Sequence, residues 1–119
     1  TAMIASKYRL SELTVIVDHN HVQLDGPVHE ILPLDSLAEK WRAFNFAVIE
    51  IDGNNMREVL DALDMAKEIH NKPTAIIAHT TKGKGVSFME NKSAWHGRPP
   101  NDEEYAQAIS ELKRRLQGQ

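Results

Sequence analysis

The sequence predicts an α/β fold: three layers, a mostly parallel sheet with helices on both faces, and a sheet that is incomplete for its kind. Three observations predict it. Short β-branched apolar runs alternate with segments of helical periodicity, in the order helix, strand, helix, strand, helix, strand, loop, helix. Such alternation favours right-handed crossovers and parallel pairing. Each strand run ends abruptly in polar residues, and only three such runs occur, few for an open sheet.

The 119 residues allow one domain with a single core. Hydrophobic residues are 41% and charged residues 26%, ordinary for a globular chain. With a net charge of −3 and a pI near 6.0, there is no general positive field for nucleic acid or an anionic membrane. Cysteine is absent, which excludes disulfides and thiolate metal sites and fits a reducing cytoplasm. No apolar run approaches the ~20 residues of a membrane span, and Thr1 to Leu10 lacks a signal-peptide pattern.

The segment Ala2 to Leu10 reads as the last turns of an amphipathic helix, with Met3 and Ile4 on its apolar side. That start points to a chain that begins inside a larger domain. Leu13 to Val17 is a continuous apolar run, expected to be a strand covered on both faces. After a polar cluster and a loop with Pro27 and Pro33, Ser36 and Glu39 have capping-box spacing ahead of Leu37, Trp41 and Phe44. Ala47 to Ile51 is the second strand and ends in Asp52-Gly53. Asn54 or Asn55 then caps a helix whose expected apolar face is Met56, Val59, Leu60, Leu63, Ala66 and Ile69. Pro73 stops it. Thr74 to Ala78 is the third strand, residues 86 to 100 are irregular, and Asn101 with Glu104 opens a last helix. Tyr105, Ala108, Ile109, Leu112 and Leu116 mark the apolar side of that helix.

In open α/β sheets ligands bind beyond the carboxyl ends of the strands. The polar residues there come in four groups. Asp18 and Asn20 are hard oxygen donors of the kind magnesium prefers, although turns use the same residue types. His19-x-His21 has the spacing of a zinc or iron pair on a strand, with loop surface as the plainer reading. Lys82-Gly83-Lys84-Gly85 brings two ammonium groups and two glycines to a turn. It lacks Walker spacing, so an anion site and a solvated turn both remain open. His96, in Trp95-His96-Gly97, is placed in a loop where an imidazole can bind phosphate, relay protons or simply bond to the backbone.

Taken in order, Val15-Ile16-Val17-Asp18-His19-Asn20, Gln23-Leu24-Asp25-Gly26, Ile51-Asp52-Gly53, Lys72-Pro73-Thr74, Thr80-Thr81-Lys82-Gly83-Lys84-Gly85-Val86-Ser87-Phe88-Met89-Glu90 and Trp95-His96-Gly97 resemble the thiamine-diphosphate-binding domain of transketolase. The likeness is greatest to the N-terminal subunit of the split, two-chain form, and it covers nearly the whole chain. It implies residues 1–119 as the C-terminal part of one such domain, with the upstream half absent. The implied reaction moves a two-carbon ketol unit between sugar phosphates, with thiamine diphosphate and Mg2+ as cofactors, in a cytoplasmic, pentose-phosphate-pathway setting.

By the same resemblance, Asn20 is a magnesium ligand and the Val22 carbonyl completes the metal shell. Leu24 contacts the cofactor rings and Lys82 lies near the diphosphate. His96 touches the diphosphate and serves as the catalytic residue. The implied partner is a pyrimidine-binding domain or subunit, in an oligomeric enzyme that binds neither nucleic acid nor membrane. Two departures stand out. No Gly-Asp-Gly metal motif occurs, and His19 stands where many family members carry Asp or Asn. The family's aminopyrimidine-activating glutamate belongs to another domain. The alternative is a small α/β binding module without catalytic activity, which would fold as a stable monomer. The fragment reading instead expects exposed apolar surface and self-association.

Overall fold

The computed structural model describes residues 1–117, which form two compact units, 1–19 with 34–80 and 20–33 with 81–117. Residues 118 and 119 of the expected 1–119 domain lie outside the described residues.

The first unit holds α1 (Ala2–Lys7), β1 (Thr14–His19), α3 (Leu37–Ala43), β4 (Ala47–Asp52), α4 (Met56–Lys67) and β5 (Thr74–His79). The second holds β2 (Val22–Gln23), β3 (Gly26–Pro27), α2 (Val28–Ile31), a 3-10 turn at Ser93–Trp95 and α5 (Asp102–Gln117). In the first unit the strands form a parallel sheet in the order β1-β5-β4, with Thr14, Thr74 and Ala47 aligned at its start. Central β5 is buried along nearly its full length, which is why Thr74-Ala75-Ile76-Ile77-Ala78 carries no charge.

Successive side chains of β5 point to opposite faces, and each meets its own layer. Ala75 packs with Ala5 of α1 and with Phe46, joined by Val15 and Trp41. Ile76 packs with Ala62 and Ala66 of α4, joined by Ile49, Ile51 and Leu63. The sheet therefore carries α1 and α3 on one face and α4 on the other, the three layers expected. Alanines at the contact points let the helices approach the sheet closely.

Several expectations are corrected. β1 is an edge strand, not one covered on both faces: Ile16 is 58% exposed. The contact face of α1 is Ala2 and Ala5, which leaves Met3 and Ile4 exposed. On α4, Met56 and Leu60 are exposed because Ala62 and Ala66 turn the buried stripe away from them. On α5, Ala108 is buried while Tyr105, Leu112 and Leu116 are exposed. Ser36 does not cap α3. It takes a left-handed conformation (φ 53°) with no side-chain cap bond, and Glu39 pairs with Arg42 instead.

Asn55 does cap α4. Its side chain accepts from the Arg57 N–H at 3.1 Å and donates to Glu58 at 2.9 Å, while Glu58 also accepts the Asp52 N–H at 2.8 Å. Gly53, beside that cap, has no room for a side chain, since a Cβ there would lie 2.8 Å from the Ala78 Cβ. Among the described residues no helix is long and apolar enough to cross a membrane.

Candidate thiamine diphosphate site

The five residues singled out in the sequence, Asn20, Val22, Leu24, Lys82 and His96, all fall in the second unit. Asn20 follows β1 directly. Its Oδ1 accepts the Val22 N–H at 3.0 Å, closing an Asx turn around His21, which takes the left-handed conformation (φ 62°). Val22 then pairs with Pro27 and Gln23 with Gly26. The Val28 N–H donates to the His21 carbonyl at 2.9 Å, which places Val22 at a non-hydrogen-bonded position of the ladder. Pro27 has no N–H to offer. The Val22 carbonyl is thus turned away from β3, and one short turn presents an amide oxygen and a backbone carbonyl, both hard donors that fit magnesium.

Leu24 sits at the tip of this hairpin, 65% exposed, an apolar side chain standing in solvent. Lys82 is half-buried, and its carbonyl accepts the Asn91 N–H at 2.9 Å, which closes the loop between them. Gly83 (φ 71°) must be glycine, because a Cβ would meet the Met89 carbonyl oxygen at 2.8 Å. Glu90 reaches back to accept the Gly85 N–H at 2.9 Å. The Ser87 N–H and Oγ both donate to Glu111 of α5, at 2.6 and 2.8 Å. The loop holding Lys82 is therefore braced at three points.

The Glu111 brace is a charged one. Donation from Gln107, then from the Ser87 N–H and hydroxyl, holds its carboxyl at about 2, well below the usual 4.5. A carboxyl lowered on folding adds stability above its unfolded value, and that stability is lost as pH falls from about 4.5 toward 2. We expect Glu111→Gln to flatten the acid limb of a melting-temperature profile in that window. An unchanged acid limb would show the brace to be absent in solution.

His96 follows the 3-10 turn, with its N–H on the Ser93 carbonyl at 2.9 Å and its side chain exposed. Its neighbours are pinned. The Trp95 Nε1–H donates to the Phe88 carbonyl at 3.1 Å, and the two rings are 5.4 Å apart. Asn101 and Glu104 form the expected capping box, 2.9 and 2.8 Å, at the start of α5.

Direct hydrogen bonding links Asn20 to Val22, whereas Lys82, Leu24 and His96 are each set by their own segment. Residue spacing missed Glu90, Glu111 and Arg98 as loop braces: Glu90 and Arg98 bond through irregular turns that have no fixed period, and Glu111 meets Ser87 by tertiary approach. His19 and His21 do not share a strand, since β1 ends at His19 and His21 follows in a left-handed turn. His19 is not loop surface either. It closes β1 opposite His79, with ring centroids 5.1 Å apart.

A parallel three-stranded sheet flanked by helices on both faces defines a three-layer α/β fold. The family model described as the transketolase, thiamine diphosphate binding domain matches residues 1–116, and the chain belongs to that family. One of the subunits of the apulose-4-phosphate transketolase of Phocaeicola vulgatus is 36% identical over 116 residues, 98% of this chain and 41% of the relative. The 6-deoxy-6-sulfo-D-fructose transketolase subunit SqwG of Clostridium sp. is 42% identical over 95% of this chain and 41% of its own length. Human transketolase is 34% identical over 95% of this chain and 18% of its own. The crystal structure of Campylobacter jejuni transketolase superposes with a TM-score of 0.86 at 27% identity, covering 94% of this chain and 17% of that one. The chain thus spans about two-fifths of the length of the Phocaeicola and Clostridium relatives.

Proposed function

We propose that this chain forms the C-terminal part of a thiamine-diphosphate-binding domain within a transketolase-like enzyme, one that transfers a two-carbon ketol unit between sugar phosphates. The observation that carries the reading is the Asx turn that sets the Asn20 amide oxygen beside the outward Val22 carbonyl, in a chain of this family. Asn20 and Val22 hold Mg2+, and an amide oxygen keeps its bond to the Val22 N–H while donating to the metal, because it has two lone pairs. Lys82 and His96 face the diphosphate, and Leu24 offers its exposed side chain to the cofactor rings. When bound, thiamine diphosphate supplies the carbanion chemistry, and the protein orients it. His96 moves protons at the substrate oxygens, a role suited to an imidazole near neutral pH.

The remaining metal and cofactor contacts come from the rest of the domain and from a pyrimidine-binding partner domain or subunit, in an oligomeric, cytoplasmic enzyme. Exposed apolar side chains support a larger domain: Met3 at 71%, Ile4 at 60% and Ile16 at 58%, the last on edge strand β1.

Calorimetry tests the shared site. The 119 residues alone should bind magnesium thiamine diphosphate weakly or not at all and show no ketol transfer, whereas the assembled enzyme binds it in a magnesium-dependent way. Micromolar binding by this chain alone would contradict the shared site. Magnesium-independent binding by the assembled enzyme would remove the metal role.

A further inference from the structure

The loop that carries His96 has an exposed imidazole between two anchored neighbours. On one side Trp95 is bonded to the Phe88 carbonyl, and its ring packs at a tilt of 59° against that of Phe88. On the other, the Arg98 guanidinium lies over the Trp95 ring, 4.0 Å from its centroid. The same guanidinium donates through both terminal nitrogens to Glu104, at 3.1 and 2.7 Å. Glu104 is itself fixed, because its Oε2 accepts the Asn101 N–H and its own N–H donates to Asn101 Oδ1.

Arg98 therefore spans from an aromatic face to a helix cap, with its Cζ over the ring and its terminal nitrogens on the carboxylate. Both contacts suit a flat, delocalised cation and a fork of donors better than a point charge. Glu104 is held ionised by this arrangement: donation from Arg98, then the Asn101 N–H, lowers its carboxyl below the usual value. Gly97, between Arg98 and His96, has nothing within 4 Å of the site a Cβ would take. Gly97 adds no side-chain contact of its own, and the loop's anchors on either side of it are those of Trp95 and Arg98.

We infer that Arg98 and Glu104 are positioning residues for His96: the bidentate pair, stacked on Trp95, ties the histidine loop to the first turn of α5 and fixes where the imidazole meets the cofactor. The inference rests on the reading that His96 acts at the cofactor, and it adds residues that do not touch cofactor or substrate. A pair that only capped α5 would move stability and nothing else. A pair that positions His96 moves turnover through the imidazole.

The test uses the assembled enzyme with magnesium thiamine diphosphate, comparing His96→Ala, Arg98→Met and the double variant for kcat, donor KM, cofactor affinity and melting temperature. Arg98→Met keeps an apolar stem over Trp95 and leaves the Asn101–Glu104 cap intact, so the loop loses its tie without the helix losing its start. We expect kcat to fall about tenfold, the scale of a small misplacement of a reacting group, with donor KM nearly unchanged. The double variant should be no worse than His96→Ala, because residues acting through one another are not additive. Arg98→Lys, which keeps the charge but not the fork, should recover part of the loss, and Glu104→Gln should match Arg98→Met from the other side.

An impaired His96→Ala beside an unimpaired Arg98→Met would overturn the positioning role alone. Additive losses in the double variant would do the same, as would a shift of melting temperature without a change in kcat. An unimpaired His96→Ala would overturn the reading of His96 itself and the pair's role with it.

Discussion

Asn20→Ala is expected to weaken magnesium-dependent binding of thiamine diphosphate to the assembled enzyme by at least about a hundredfold. Changes in groups one step removed from a metal already cost about 10–100-fold, and a side chain proposed as a direct ligand sets that range as a floor. The loss has two parts. The amide oxygen disappears as a metal donor, and so does the acceptor for the Val22 N–H at 3.0 Å. Without that bond, one of the constraints on the left-handed His21 and on the neighbouring Val22 carbonyl is lost. Asn20→Asp separates the parts. It retains an oxygen for both the turn and the metal, so it should keep most of the affinity. Titration calorimetry over a magnesium series measures both variants. Wild-type affinity in Asn20→Ala, with the fold intact by circular dichroism, would remove Asn20 from the metal site.

The largest stability effect is expected at Phe46. It is 2% exposed, just ahead of β4, and meets the Trp41 ring edge-on with centroids 5.0 Å apart. Ala5 and Ala75 close the cluster from α1 and β5. Those neighbours are already alanines, short and held by helix and strand, so they cannot move in to fill a gap. Phe46→Ala should therefore cost about 3–5 kcal/mol, the upper range for loss of a buried aromatic ring. Phe46→Leu, which keeps most of the volume, should cost less. Denaturant unfolding of the enzyme checks both, and a cost below that of an ordinary surface change would show that the cluster collapses around the gap. Exposed Phe44, two residues earlier, offers the contrast.

Comparing these sites shows what was legible in one dimension. Asn55 and Asn101 cap their helices through partners two and three residues away, so residue type and spacing were enough. The same logic failed at Ser36, which takes a left-handed backbone and makes no side-chain cap bond, while Arg42 claims Glu39. Helical periodicity places Ala66 and Ala108 on faces that the structure buries, with Val59, Leu63 and Ile69 partly covered. Periodicity marks Met56 and Leu60 as apolar, but the sheet is approached by the small residues Ala62 and Ala66.

By itself, the sequence determined the three strands and their helices, a cap at Asn54 or Asn55 and another at Asn101, and the polar groups that carry the family resemblance. Those depend on local hydrogen bonding and on side-chain period, which neighbouring residues set. Tertiary structure decided the rest. Only pairing across the sheet makes β5 central and β1 an edge. Approach of α5 to the lysine loop gives Ser87 its carboxylate partner in Glu111, while Gly85 finds Glu90 within the loop itself. The fork of Arg98 on Glu104 needs a folded turn to bring a guanidinium over an indole and against a helix cap. Such contacts arise from the path of the chain in space, and residue spacing carries no record of them.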